Sequence, residues 1–304
     1  MSKVLQLNEA SEYLSHTIKH TTGGWSAGKI GTSELNALLW FLTNRQKTKQ
    51  PYPALIKKEM TVNAGLWSPN STTLDETLDS WSLDMLEALE NIDAVVSWSP
   101  SALDNELALL EAKAPNAKKI VLRALEPYYS PQNQYTLQMT QGPIAVISPF
   151  AKSMEQQWAA RAELFPQNSP AGTMWLPNQE LIPIKAAYGP YMTPTNLALS
   201  WSPTILEKGY KEALTQLTNQ VLQSGAKYAF VGIGALSLPL VNRLKQHNII
   251  AIHTGGGTQI MFGLKGKRWL KHSIISTFFN PHWSNPSDKE IPSAAHNVEG
   301  GCYW

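Results

Sequence analysis

The chain has 304 residues, 43% of them apolar and 16% charged, with a formal net charge of +2. That balance excludes a disordered chain and gives no electrostatic footprint for nucleic acid. One cysteine, Cys302, excludes an internal disulfide; with no signal-peptide apolar region and no run of about 18 apolar residues, a soluble cytoplasmic protein is expected (the host cytoplasm for a viral chain).

In chain order, residues Ala10 to His20 read as helix and Trp25 to Ile30 as a short strand. An amphipathic helix then runs through Leu35, Leu38, Leu39, Phe41 and Leu42, with Thr32 or Ser33 as its N-cap. Glu34 falls in its first turn, where the helix dipole favours a carboxylate. After a polar stretch punctuated by prolines, a further helix starts near Ser71 and carries apolar residues at Leu74, Leu78, Trp81 and Met85. Ala94 to Trp98, Lys119 to Leu122 and Ile144 to Ile147 are short apolar runs that predict buried strands, with a helix from Leu103 to Ala112 between the first two. A helix over Ser153 to Leu164 follows, then an edge strand over Ile182 to Ala186, since Pro183 cannot donate to a central ladder. Gly189 to Pro203 reads as a loop or linker, and Thr204 to Gln223 as one long helix.

The most informative stretch is Lys227 to Trp269. A strand, Tyr228 to Val231, meets the glycine turn Gly232-Ile233-Gly234. A helical pattern and a second strand, Ile249 to Ile252, lead to Gly255-Gly256-Gly257. Both turns are expected at the same edge of a parallel sheet, the edge where open α/β sheets bind ligands. Alternating strands and helices predict an α/β fold, a Rossmann-like parallel sheet with helices on both faces, in one domain over 1–304. Its sub-halves would be 1–187 and 203–304. No repeat stands out, and the aromatic end, Tyr303-Trp304, is expected to pack down.

Donor-binding candidates are therefore Gly232, Gly234, Ala235, Gly255, Gly256, Gly257, Thr258 and Gln259, with Lys265, Lys267 and Arg268 to balance negative charge. A nucleotide diphosphate is the natural ligand of such turns. The rival reading is that the glycines only make tight turns, and for Gly232 the two readings weigh equally. A dinucleotide site is disfavoured, because Ser237 stands where a third glycine belongs and His253 replaces the acidic residue after the second strand. His16, His20, His272 and His282 have no zinc spacing, and neither G-x-S-x-G nor G-x-x-x-x-G-K-[ST] occurs. Eleven tryptophans and ten tyrosines mildly favour a carbohydrate ligand, with ordinary core and interface packing the reason for most of them.

Several segments together resemble glycosyltransferases of the GT-D-like fold class, in the branch found among viral, phage and bacterial surface-glycan genes. They are GKIGTSEL (Gly28 to Leu35), LEPYY (Leu125 to Tyr129), ISPFAKSMEQQW with RAELF (Ile147 to Phe165), HTGGGTQIMFGLKGKRW (His253 to Trp269), and the tail segments WSNPS and VEGGCYW. The resemblance implies a transferase that moves a sugar from a UDP-, GDP- or dTDP-linked donor onto a growing glycan. It makes 1–187 the acceptor and catalytic half and 203–304 the nucleotide half. Metal-using members carry an aspartate-x-glutamate pair at the first helix start. Thr32 stands in the aspartate position here, leaving Glu34 as the one carboxylate for Mg²⁺ or Mn²⁺, or as a base on the acceptor hydroxyl. Lys29 would lie near the sugar or a phosphate, and Thr32, Ser33, Ser148, Lys152 and Gln157 near donor or acceptor. The alternatives are a non-catalytic nucleotide-sugar or glycan-binding module and, third, an NAD(P)-dependent oxidoreductase.

Overall fold

The computed structural model describes residues 3–98 and 103–304. Among these residues seven strands form one sheet in which every pairing is parallel. They are β1 (Trp25–Gly28), β2 (Ala94–Ser97), β3 (Lys118–Val121), β4 (Ile144–Ser148), β5 (Leu181–Lys185), β6 (Tyr228–Val231) and β7 (Ile250–His253), in the order β3-β2-β1-β7-β6-β4-β5. Strands from both expected halves interleave in that order, so the halves share one sheet. Pro183 lies on β5, the edge strand, as its missing N–H requires.

Strand residues alternate between two cores. Tyr228, Phe230, Ile250 and Ile252 point to one face, and Ala229, Val231 and Ala251 to the other. The small-residue face is covered by α2 (Thr32–Trp40), whose π-helical continuation leads into the single turn α3 (Gln46–Thr48), then α4 (Ala54–Val62), α5 (Leu74–Asn91) and α6 (Leu103–Lys113). The other face is covered by α1 (Leu7–His20), the single turn α7 (Leu122–Leu125), α8 (Ala151–Trp158) and α9 (Arg161–Leu164). From the chain's later part, α10 (Pro203–Lys208), α11 (Tyr210–Ser224) and α12 (Ser237–Gln246) join the first layer, and α13 (Gly257–Met261) the second. A sheet carrying helices on both faces is the Rossmann-like architecture expected from the sequence.

Three local expectations change. The long helix over Thr204 to Gln223 is interrupted at Gly209, whose φ of 87° is left-handed and whose Cα approaches the Pro69 ring. The helix over Ser153 to Leu164 starts at Ala151 and breaks after Trp158, where the Arg161 guanidinium donates to the Trp158 carbonyl (3.0 Å) that a continuing helix would have used. The N-cap of α2 is Gly31, with Thr32 and Ser33 already helical. Glu34 folds back over Gly31, so that a Cβ on residue 31 would collide with the Glu34 carboxylate. By contrast, α5 begins with a full capping box, Thr73 and Glu76 bonding each other's backbone N–H.

Candidate functional site

The chain runs outward from β1 through β2 to β3, crosses to β4, and returns through β6 and β7 to the centre. The loops after β1, β7, β6 and β4 therefore meet at the carboxyl edge of the sheet, the place where such topologies open a crevice. A cavity of about 460 Å³ lies there, within the range of roughly 300–1,000 Å³ usual for small-molecule sites.

Its floor is set by Glu34 and Lys29. Both line the cavity and are half-buried. Burial pushes the Glu34 carboxyl above its ordinary value, and the nearby Lys29 ammonium opposes that rise. Burial likewise lowers Lys29, while Glu34 and then Glu126 restore part of its affinity for the proton. The Lys29 ammonium also stands 4.4 Å from the centre of the Trp98 ring, a cation–π contact that fixes it at the cavity wall. His253, at the end of β7, is held down to about pKa 3 by burial and by the Lys29 charge. It is neutral at physiological pH, with Nδ1 2.8 Å from the Val231 carbonyl oxygen, so that Nδ1–H donates and Nε2 keeps its lone pair.

The three consecutive glycines have three different causes. Gly255 is left-handed (φ 58°), and a Cβ there would strike the Lys29 Cε. A Cβ on Gly256 would lie 3.2 Å from Trp269 and 3.3 Å from Tyr303. Gly257 does not line the cavity; its Cα faces the Glu126 carboxylate and the Tyr128 hydroxyl, 3.0 and 3.3 Å from where a Cβ would be. Gly232 lies against Thr258, and Gly234 (φ 58°) presses on the Ala64 carbonyl. Ala235 donates its N–H to the same carbonyl (2.9 Å), and it does not line the cavity. Ser237, in the place of a third fingerprint glycine, uses its hydroxyl to accept from the Ile233 N–H.

Of the downstream cations only Arg268 reaches the cavity. Its guanidinium pairs with Glu299 and lies 4.6 Å from the Tyr303 ring centre. Lys265 stands over Phe279, and Lys267 is exposed, with its ammonium near Gly301. Thr32, Ser33, Ser148, Thr258 and Gln259 line the cavity. Gln259 uses its amide to hold the Lys265 and Tyr303 carbonyls, and Thr258 shares a hydrogen bond with Thr254. Lys152 pairs with Glu155 in solvent, and Gln157 donates to the Gly263 and His282 carbonyls; neither lines the cavity.

Sequence reading left out the walls and roof. Trp67, Trp98, Tyr188, Trp201, Tyr303 and Trp304 all line the cavity. Trp67 and Trp201 stack at 5.8 Å, and Trp304 packs against Phe150 and Tyr188. The expected linker Gly189 to Pro203 is a packed wall, giving Gly189, Met192 and Trp201 to the cavity. The excess of tryptophan was the available signal, but these residues are separated by up to 237 positions, and only the fold assembles them.

Two carboxylates line the cavity, Glu34 and Glu299, and each has a cation beside it. Among the described residues no group of three His, Cys, Asp or Glu side chains is placed to hold a metal ion. Among the described residues, Glu34 and Glu299 alone do not build an all-protein cage for a divalent cation, which would need further oxygen ligands from substrate phosphates or water. Among the described residues, no helix is long and apolar enough to cross a membrane. Compared with protein-family models, curated proteins and solved structures, the chain matches none.

Proposed function

We propose that the protein is a nucleotide-sugar-dependent glycosyltransferase of GT-D type, acting in surface or capsid glycan synthesis. The observation that carries the reading is that the Glu34 carboxyl and the Lys29 ammonium line one cavity with tryptophan walls at the carboxyl edge of a parallel sheet. Aromatic faces suit the C–H surface of a sugar, and Gly232, Gly234, Gly255 and Gly256 line the same cavity, the place for a diphosphate in this reading.

In this mechanism the donor diphosphate rests along Gly232 to Gly234 and Gly255-Gly256, near Arg268 and Lys29. The acceptor hydroxyl oxygen attacks the anomeric carbon of the donor. Its proton passes to Glu34, the bond from that carbon to the phosphate oxygen breaks, and the nucleoside diphosphate leaves with the electron pair. The cations stabilise the charge that develops on it. No step is routed through a metal.

The test is calorimetric titration with UDP-, GDP- and dTDP-sugars, paired with an assay of donor hydrolysis. Saturable binding of one base with measurable donor turnover is expected. Binding without turnover would favour a non-catalytic module, and saturable NAD(P) binding in place of any sugar nucleotide would favour an oxidoreductase.

A further inference from the structure

The charges that line the cavity cancel. Lys29 and Arg268 supply two positive charges, Glu34 and Glu299 two negative ones. A diphosphate brought into this cavity as it stands meets no net positive charge, and Arg268 is held there in an ion pair with Glu299.

The two carboxylates are not equally free to move. Glu34 is half-buried on the first turn of α2, and its movement is limited by Gly31 and the helix. Glu299 is at the rim, with its side chain 41% exposed, and Arg268 is 35% exposed. Glu299 is also one of three described non-glycine residues with left-handed backbone (φ 46°), and it is followed by Gly300 (φ 68°) and Gly301 (φ 73°). A left-handed conformation is strained for a side-chain-bearing residue, and the glycines after it adopt that region without the same strain. A Cβ on Gly300 would have no neighbour within 4 Å, so there is open space beside that residue. The Arg268 Nη1 lies 3.7 Å from where a Gly256 Cβ would be, so the guanidinium is already beside the glycine turn.

We propose that the Glu299 carboxylate occupies the phosphate subsite of the unliganded protein, and that a donor diphosphate displaces it from Arg268. The chemistry recognised is a phosphate or diphosphate oxygen, taken by the guanidinium whose Nη2 now holds the Glu299 Oε2. This rests on the sugar-nucleotide reading of the cavity. It makes Glu299 a competitor that sets affinity, and Arg268 the residue for which it competes. Discrimination follows as well: a nucleoside without phosphates cannot displace Glu299 and gains nothing from its removal.

The experiment is titration of UDP, GDP, dTDP and inorganic pyrophosphate into the wild-type chain, Glu299→Gln, Arg268→Gln and the double variant, with the free nucleosides as controls. Each variant is first checked by thermal unfolding. Glu299→Gln keeps size and backbone, so for the preferred nucleotide and for pyrophosphate it should bind roughly two- to fivefold tighter, the range an exposed ion pair supports. Arg268→Gln should weaken both ligands. Adding Glu299→Gln to Arg268→Gln should change nothing further, because the competition is for that cation. Equal or weaker binding by a folded Glu299→Gln, or the same gain with and without Arg268, overturns the displacement while leaving the sugar-nucleotide reading standing. Absence of nucleotide binding in every folded variant overturns both.

Discussion

Glu34 and Lys29 form a pair whose properties depend on each other. A base must be ionised to take a proton, and burial has raised the carboxyl above its ordinary 4.5. The acidic limb of kcat/KM is therefore expected above the usual carboxylate range, with activity lost as pH falls through it. Lys29→Met removes the charge that opposes the rise, so the limb should move to still higher pH; a limb that stays in place would detach Lys29 from Glu34. Gly255→Ala has to displace the Lys29 side chain and adopt a left-handed φ, so loss of turnover is expected from a misplaced ammonium. Gly234→Ala meets the Ala64 carbonyl, which belongs to the backbone and cannot swing aside. It should destabilise the fold by roughly 1–3 kcal/mol in a denaturant titration, whereas an unchanged midpoint would show that the turn relaxes.

At the scale of elements, the glycine turn after β6 is held from outside. Trp81 on α5 donates its indole N–H to the Ala235 carbonyl at 2.8 Å, and both residues are buried. Trp81→Phe leaves that carbonyl without its donor and should cost about 1–3 kcal/mol of stability, read as a lower denaturant midpoint. The strands and their alternation with helices were legible in the sequence because each is a short apolar run between polar boundaries. Edge placement of β5 followed from Pro183 alone. The helix breaks at Gly209 and after Trp158 were not legible, because a distant proline ring and the reach of Arg161 decide them. Gly257 was grouped with Gly255 and Gly256 by adjacency, whereas the structure turns it to Glu126. Lys265, Lys267, Lys152 and Gln157 were drawn toward the site by their place in the chain, and the fold spends them on a ring face, solvent, a local ion pair and a loop.

For the whole molecule, the C-terminal segment acts as a roof that joins distant parts of the chain. Glu290 is 2% exposed and accepts the Lys152 and Ser153 N–H groups and the Ser153 hydroxyl at the start of α8, while its carbonyl accepts from Tyr188. Glu290→Gln keeps the shape but weakens charge-assisted bonds, so a lower melting temperature is expected together with weaker ligand binding, since Tyr188, Tyr303 and Trp304 belong to the same roof. Loss of stability with ligand affinity unchanged would separate the roof from the site. The central claim is that Glu34 activates an acceptor inside this cavity. It is tested most directly by sugar transfer or donor hydrolysis in Glu34→Gln, measured beside calorimetric binding of the same donor. Turnover should fall about 10²–10⁴-fold with donor affinity nearly intact. Turnover equal to that of the wild type would contradict it.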